Sequence, residues 1–316
     1  MSKEQTQEVS FRTSIGGQAL MEGILMRGPF KQAIVCRTAD GLVEKVEEVK
    51  PLKDKCFLFG WPIIRGVAAL VSSMVNGIQA LSYSASLLPE EDQEEPGKLD
   101  LWIEAHFSNE TAQKLIIGLA MLLGLGLSLV LFLFLPTFVV GLIPAVKANF
   151  YARTALEGVV KLVIFFLYLA LCAKMPEIAR VFSYHGAEHK TIFCYEKAQP
   201  LTVENVKAQP RLHPRCGTSF MFIVIIVSIL VGSLIHVSNT WLRMACKLLT
   251  LPVIVGVTYE INRWAGRNDN LVSRVLTWPG KQVQRITTNE PDDGMMECAI
   301  RALELVIPEE KGTDAW

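Results

Sequence analysis

Long apolar runs separated by polar segments dominate the pattern of residues along this chain. Leu115–Leu135 carries no charge, and about 20 helical residues at 1.5 Å each cross a hydrocarbon core of about 30 Å. Three further runs carry two charges or fewer: Thr218–Ile235, Val159–Ala173 and Trp241–Tyr259. The pattern therefore predicts about four membrane-spanning helices.

A fifth run, Pro62–Leu88, is less apolar than the other four. It contains Arg65, Asn76 and Gln79 together with many Ser and Gly residues. This composition favours an amphipathic or re-entrant helix. If the run crossed the bilayer, the basic N-terminal region would lie outside the cell, against the positive-inside rule. We therefore expect that it does not cross.

Four spans divide the chain into alternating polar and membrane parts. The polar parts 1–61, 174–217 and 262–316 then share one side, and because they are rich in Lys and Arg the positive-inside rule places them in the cytoplasm. The expected parts are a cytoplasmic Gly-rich segment with a β-hairpin (1–61), the amphipathic or re-entrant helix (62–88), an acidic linker (89–114), a first transmembrane pair (115–173), a cytoplasmic loop (174–217), a second transmembrane pair (218–261) and a cytoplasmic tail (262–316).

Two polar segments have recognisable local structure. Gln32–Thr38 and Leu42–Val49 flank an Asp-Gly turn, which predicts a small β-hairpin. In the tail, a helix is expected around Met295–Leu305, with Asp292 and Asp293 as candidate caps. The predicted fold is therefore a mainly α, polytopic membrane protein with a small N-terminal β-hairpin and cytoplasmic helical segments.

The composition excludes several functional classes. Lys+Arg and Asp+Glu both number 31, so the net charge is zero, and nucleic acid is not an expected partner. The hydrophobic fraction is 51% and the mean hydropathy is +0.33, which favours a lipid bilayer as the partner. Seven cysteines, an odd number, do not suggest a secreted disulfide framework, so we expect reduced thiols.

The N-terminal stretch from Gly16 to Pro29 is apolar and punctuated by glycine. It matches neither a Walker A motif nor a dinucleotide fingerprint. One interpretation is a packed loop with an internal pair between Glu22 and Arg27. The other is a flap that lines an active site.

The strongest chemical pattern lies in the loop 174–217. His185 and His189 are four residues apart in His-Gly-Ala-Glu-His, so on a helix both imidazoles face the same side. This spacing is typical of two ligands of a divalent metal, most often Zn²⁺, with Glu188 as the general base of a hydrolase. The alternative is an ordinary helix whose histidines bind backbone carbonyls and carboxylates.

A catalytic zinc site needs a third protein ligand. One candidate is Glu260, which ends the last predicted span at the cytoplasmic face. The others are His213 and Cys216; if both were ligands, the site would be closed and structural. The first functional hypothesis is therefore a membrane metal-dependent hydrolase acting on a peptide or a lipid-linked amide. The second is a non-catalytic scaffold, sensor or transporter-like protein with a structural histidine site.

Four separated motifs resemble those of one known family. They are GGQALMEGILMRGP (16–29), YHGAEHKTI (184–192), HPRCGTSF (213–220) and TTNEPDDGMMECAI (287–300), and they resemble the YqhQ-like bacterial membrane proteins, the domain of unknown function 1385 family. The resemblance runs through nearly the whole chain. It implies a multi-pass protein of the bacterial cell membrane and a suspected metal-dependent enzyme, but no substrate.

Overall fold

The computed structural model describes residues 11–50, 56–89, 97, 101–103, 106, 109–147, 149–310 and 312–315. Most of the predicted acidic linker lies outside these residues. The strands are β1 (Gly16–Leu20), β2 (Gly23–Arg27), β3 (Lys31–Thr38) and β4 (Gly41–Glu48). The principal helices are α1 (Ile64–Ser86), α2 (Asn109–Leu129, continuing through a π-helical turn Val130–Phe134 into Leu135–Gly141), α3 (Phe150–Cys172), α4 (Pro176–Glu196), α5 (Val203–Lys207), α6 (Gly217–Ser233), α7 (Thr240–Arg267), α8 (Leu271–Thr287) and α9 (Asp293–Glu304).

These strands form one antiparallel sheet in the order β1-β2-β3-β4. The predicted hairpin is confirmed as β3 and β4, which meet at the pair Thr38 and Gly41. Gly41 has φ of 124°, a conformation that glycine adopts without strain. The Gly-rich stretch forms another hairpin, β1 and β2, whose strands were not predicted from the sequence.

Both faces of the sheet are covered. One face packs on α4 and α9 in the largest buried cluster, to which Met26, Val35 and Ala187 belong. The other face packs on the C-terminal half of α1, where Leu20, Ile34 and Ala80 are buried together. The sheet therefore lies between α1 on one side and α4 with α9 on the other.

The predicted fold class is confirmed, because the described part of the chain is mostly helical and has four helices long and apolar enough to cross a membrane. The set of helices differs slightly from the predicted one. By length and composition the four are Ile64–Ser86, Leu115–Gly141, Phe150–Cys172 and Thr240–Arg267, whereas Phe220–Ser233 within α6 is shorter.

Helix α1 contacts two different parts of the molecule. At its beginning, Gly66 lies against Tyr259 of α7, where a β-carbon would come within 2.7 Å of the tyrosine Cβ. Further along, a β-carbon on Gly77 would overlap the Gln18 side chain of β1. The beginning of α1 is thus held by the helical bundle, while its second half is held by the sheet.

The beginnings of α3 and α7 are joined by a buried ionic cluster. Glu157 Oε1 lies 3.1 Å from Arg243 Nε and 3.4 Å from Arg153 Nε, and Glu157 Oε2 accepts from Lys247. Arg153 and Arg243 are fully buried. Arg243 also donates to the Ile235 carbonyl. The cluster therefore fixes the loop between α6 and α7 to these two helices.

The tail contains α8 and α9. The predicted helix near the C-terminus is confirmed as α9, and Asp292 caps it by accepting from the Met295 amide at 2.8 Å. Helix α8 was not predicted from the sequence. Its buried side is largely polar or small. Its exposed side carries large apolar residues together with Arg274 and Arg285, which is typical of an amphipathic helix at a membrane surface; the large apolar residues are Leu271, Val272, Val275 and Trp278.

We expect Leu303→Ala to lower the free energy of unfolding by about 2–5 kcal/mol, because Leu303 is fully buried between α9 and the sheet. The matched control is Val46→Ala on β4, a residue that is 46% exposed and should change stability by less than about 0.5 kcal/mol. Unfolding of the full chain in detergent measures both. Equal effects would contradict the assigned core.

Candidate functional site

Helix α4 carries both histidines of the predicted motif. Pro176 occupies its first turn, where a missing N–H costs nothing. His185 and His189 follow one turn apart, and their ring centroids are 4.4 Å from each other. The predicted shared face of the two imidazoles is therefore present.

Backbone carbonyls hold one nitrogen of each imidazole. His185 Nδ1 lies 2.8 Å from the Thr287 carbonyl, and His189 Nδ1 lies 2.6 Å from the Arg211 carbonyl. Because a carbonyl only accepts hydrogen bonds, both Nδ1 atoms carry protons. Each Nε2 is then the atom that remains to act as a ligand.

Cys216 places a third possible metal-ligand atom beside the two imidazoles. It is the N-terminal cap residue of α6, and its Sγ lies 3.1 Å from His185 Nε2. One donor atom from each of His185, His189 and Cys216 lies within 4.8 Å of the other two. Within the described ranges, His189 Nε2 is buried and has no hydrogen-bond partner.

Glu188 lies beside this cluster and is only 6% exposed. Its Oε1 accepts from the Gly17 amide of β1 at 3.0 Å. A β-carbon on Gly17 would come within 3.0 Å of the Glu188 carboxyl carbon. Glycine at this position therefore allows strand and carboxylate to approach closely.

The charges of the cluster stabilise each other. Burial raises the pKa of the Cys216 thiol, but His189 and His185 outweigh it and hold the pKa well below its usual value. Burial lowers the pKa of His185, but the Cys216 thiolate outweighs it and raises the pKa to about 9. Burial raises the pKa of Glu188, against the opposing effect of the two imidazoles. The two imidazoles therefore favour ionisation of Cys216, and the thiolate favours protonation of His185.

His213 lies near His189, with ring centroids 5.6 Å apart, but its side chain is directed elsewhere. Its Nε2 is 3.5 Å from Glu196 Oε2. Burial lowers the pKa of His213 to about 4, so the ring is neutral. The Gln284 side chain of α8 holds the His213 backbone through two hydrogen bonds.

Glu260, a predicted candidate for the third ligand, lies outside the cluster of His185, His189 and Cys216. Its carboxylate accepts two hydrogen bonds from the guanidinium of Arg65, one of them 2.6 Å long. Of the three candidates for a third donor, the structure therefore brings only Cys216 to the two motif histidines among the residues it describes.

Gly186 explains why the motif contains a glycine inside a helix. A β-carbon there would overlap the Asn289 carbonyl oxygen. Asn289 also donates to α4 through its amide, which bonds the Phe182 carbonyl at 2.9 Å. The segment after α8 therefore packs directly on α4, and this contact places the Thr287 carbonyl on His185.

The interpretation of Gly16–Pro29 as a packed loop with an internal ion pair was wrong, because the stretch forms the hairpin of β1 and β2. Glu22 pairs with Arg180 and accepts from Tyr184 on α4, rather than pairing with Arg27. Three residues that contact the site were not predicted from the sequence: Gly17, Thr287 and Arg211. Arg211 and Thr287 act through their carbonyls, so residue type gave no signal for either. Gly17 acts through its amide, and the only signal in its residue type is the missing side chain, which permits the close approach of Glu188.

We expect Gly186→Ala to destabilise the protein by about 1–3 kcal/mol, because the added methyl group overlaps the Asn289 carbonyl. Gly118→Ala in α2 is the matched control, since a β-carbon there meets nothing within 4 Å. Thermal unfolding of the two variants measures the difference. Equal stability would contradict the close approach at Gly186.

The depressed pKa of Cys216 predicts its reactivity. The thiolate is the form that reacts with iodoacetamide, and the two imidazoles hold the pKa of the Cys216 thiol below its usual value. The alkylation rate should therefore fall less on lowering the pH in the wild type than in His189→Ala, which removes the larger of the two stabilising charges. Peptide-level mass spectrometry measures both profiles, and identical profiles would contradict the lowered pKa.

Comparisons with known proteins agree with the motifs. Residues 61–309 match the family model described as "Protein of unknown function (DUF1385)". The chain is 33% identical over 300 residues to "Uncharacterized protein YqhQ" of Bacillus subtilis (strain 168), covering 91% of this chain and 90% of that protein. No solved structure matches the chain. The chain therefore belongs to the DUF1385 family.

Proposed function

We propose that this protein is a metal-dependent hydrolase of the bacterial cell membrane, with its site on the cytoplasmic side. His185, His189 and Cys216 would hold a divalent cation of the chemical class of Zn²⁺, and Glu188 would act as the general base. The observation that carries the proposal is the convergence of two Nε2 atoms and one thiolate next to a buried carboxylate.

The donor set fits a zinc-like cation. Imidazole nitrogen and thiolate sulfur are its preferred ligands, and three protein ligands leave a coordination position open. The buried Nε2 of His189, which lacks a hydrogen-bond partner in the described part of the chain, is otherwise costly. The Thr287 and Arg211 carbonyls accept hydrogen bonds from the two Nδ1 atoms and so orient the imidazoles, as such bonds usually do for histidine ligands.

The remaining residues have separate roles. A bound cation would supply Lewis acidity to the reacting carbonyl and to water. Glu188 takes a proton from the attacking water and returns it to the leaving group, so protons balance without an oxidant or reductant. The Gly17 amide orients the carboxylate for this transfer. His213 stays with Glu196 rather than closing the site as a further ligand.

The helix ends support the proposed location. Cys216 caps the start of α6, and α4 follows the end of α3, so the site lies at one end of the bundle. The ionic cluster of Glu157 lies at the other end. Because the polar segments around the site are rich in Lys and Arg, we infer that this end is cytoplasmic. The contact between α1 and the sheet also fits a helix that does not cross the bilayer.

Metal analysis of the purified full-length chain tests the site. We expect about one Zn²⁺ per wild-type chain after reconstitution, and a loss of more than about tenfold in affinity in His185→Ala, His189→Ala and Cys216→Ala. Glu188→Gln and Glu260→Gln should keep the metal, because neither residue is assigned as a ligand. Equal metal content in all variants would contradict the site.

A substrate-independent assay tests hydrolysis. Membranes from cells that contain the wild type or Glu188→Gln are incubated in water labelled with oxygen-18. A hydrolase transfers oxygen from water into its product, so labelled carboxylates should form with the wild type and not with metal-loaded Glu188→Gln. Identical labelling, with metal present in both, would favour the non-catalytic alternative.

A further inference from the structure

Strand β1 is an edge of the sheet, because it pairs with β2 alone among the described strands. In an antiparallel pair, successive residues alternate between facing the partner strand and facing away. The Gly17 amide donates to Glu188 and therefore faces away from β2. Ala19, two residues on, has the same orientation.

The free edge of β1 is accessible at Gly17, which is exposed although Glu188 beside it is buried. In the part of the chain that the structure describes, neither the Gly17 carbonyl nor the Ala19 amide has a hydrogen-bond partner. Gly16 and Gly17 have no side chains that would obstruct an approaching chain. An acceptor and a donor are thus presented side by side.

A chain that pairs with β1 would pass the candidate catalytic group. Paired strands lie about 4.8 Å apart, and Glu188 Oε1 is 3.0 Å from the Gly17 amide at the same edge. Because Glu188 Oε1 already accepts from the Gly17 amide, it takes the place of a partner carbonyl there. The added chain would therefore pair with the Gly17 carbonyl and the Ala19 amide and would reach the Glu188 carboxylate at Gly17. Its own amides and carbonyls match the free groups of Gly17 and Ala19.

We propose that the substrate is a polypeptide in extended conformation, which binds as an additional antiparallel strand along the free edge of β1. This inference rests on the proposed hydrolase function and names its substrate class. Main-chain pairing of this kind gives affinity with little dependence on side chains. The reaction breaks a peptide C–N bond; water supplies the hydroxyl of the new carboxyl group and the proton of the new amine.

Binding of hydroxamates to the zinc-loaded full-length chain tests the proposal without measuring activity. The probes are acetohydroxamate, the hydroxamate of tri-alanine, the same peptide with N-methylated amides, and dodecanoyl hydroxamate. Each backbone hydrogen bond contributes about three- to tenfold in affinity. We therefore expect tri-alanine hydroxamate to bind at least about tenfold tighter than acetohydroxamate, and the N-methylated peptide to lose this gain.

Two proline variants localise the binding. Ala19→Pro removes an N–H that faces the free edge, so β1 keeps its bonds to β2 and the peptide probe should bind about three- to tenfold more weakly. Val46→Pro removes the equivalent outward N–H on β4, at the opposite edge, and should leave peptide binding unchanged. Hydrogen exchange should also slow at β1 when tri-alanine hydroxamate is added.

The outcomes distinguish the two proposals. If acetohydroxamate binds and tri-alanine hydroxamate binds no tighter, the polypeptide proposal is wrong while the metal site stands. The polypeptide proposal is also wrong if dodecanoyl hydroxamate binds far tighter than the peptide and Ala19→Pro has no effect, since this result indicates a lipid-linked amide. If no metal and no hydroxamate bind, the proposed function itself fails.

Discussion

The arrangement of the candidate site depends on the close approach of the Asn289 carbonyl to Gly186. This contact brings the segment after α8 onto α4 and places the Thr287 carbonyl on His185. The same helix, α4, binds the sheet through Glu188 and the Gly17 amide. A single helix therefore joins the sheet, the tail and the start of α6, and the cluster of His185, His189 and Cys216 lies where these elements meet.

Local patterns predicted a large part of the fold. The Asp-Gly turn indicated the hairpin of β3 and β4, and the acidic cap at Asp292 indicated α9. The first hairpin was missed because both faces of the sheet are covered, so its strands contain nearly continuous apolar residues instead of an alternating pattern. Helix α8 was missed because its apolar residues face outward.

Residue spacing in the sequence predicted only part of the site. The shared face of His185 and His189 follows from helix geometry, but the third donor depends on how distant segments pack. Glu260 and Cys216 were both candidates from the sequence, and the structure separates them by placing Cys216 beside the two histidines and Glu260 against Arg65. Backbone groups such as the Arg211 and Thr287 carbonyls cannot be recognised from residue type, so they required the structure.

The ionic cluster around Glu157 has a consequence for biogenesis. Without α7, helix α3 would carry Arg153, Glu157 and Lys161, of which only Arg153 and Glu157 pair with each other, and unpaired charges within a membrane span are costly. The counter-charges on α7 are synthesised only later, after α4 and α6 have left the ribosome. The Glu157 carboxylate therefore has one of its three cationic partners, Arg153, on its own helix, and gains Arg243 and Lys247 only after α7 has been synthesised.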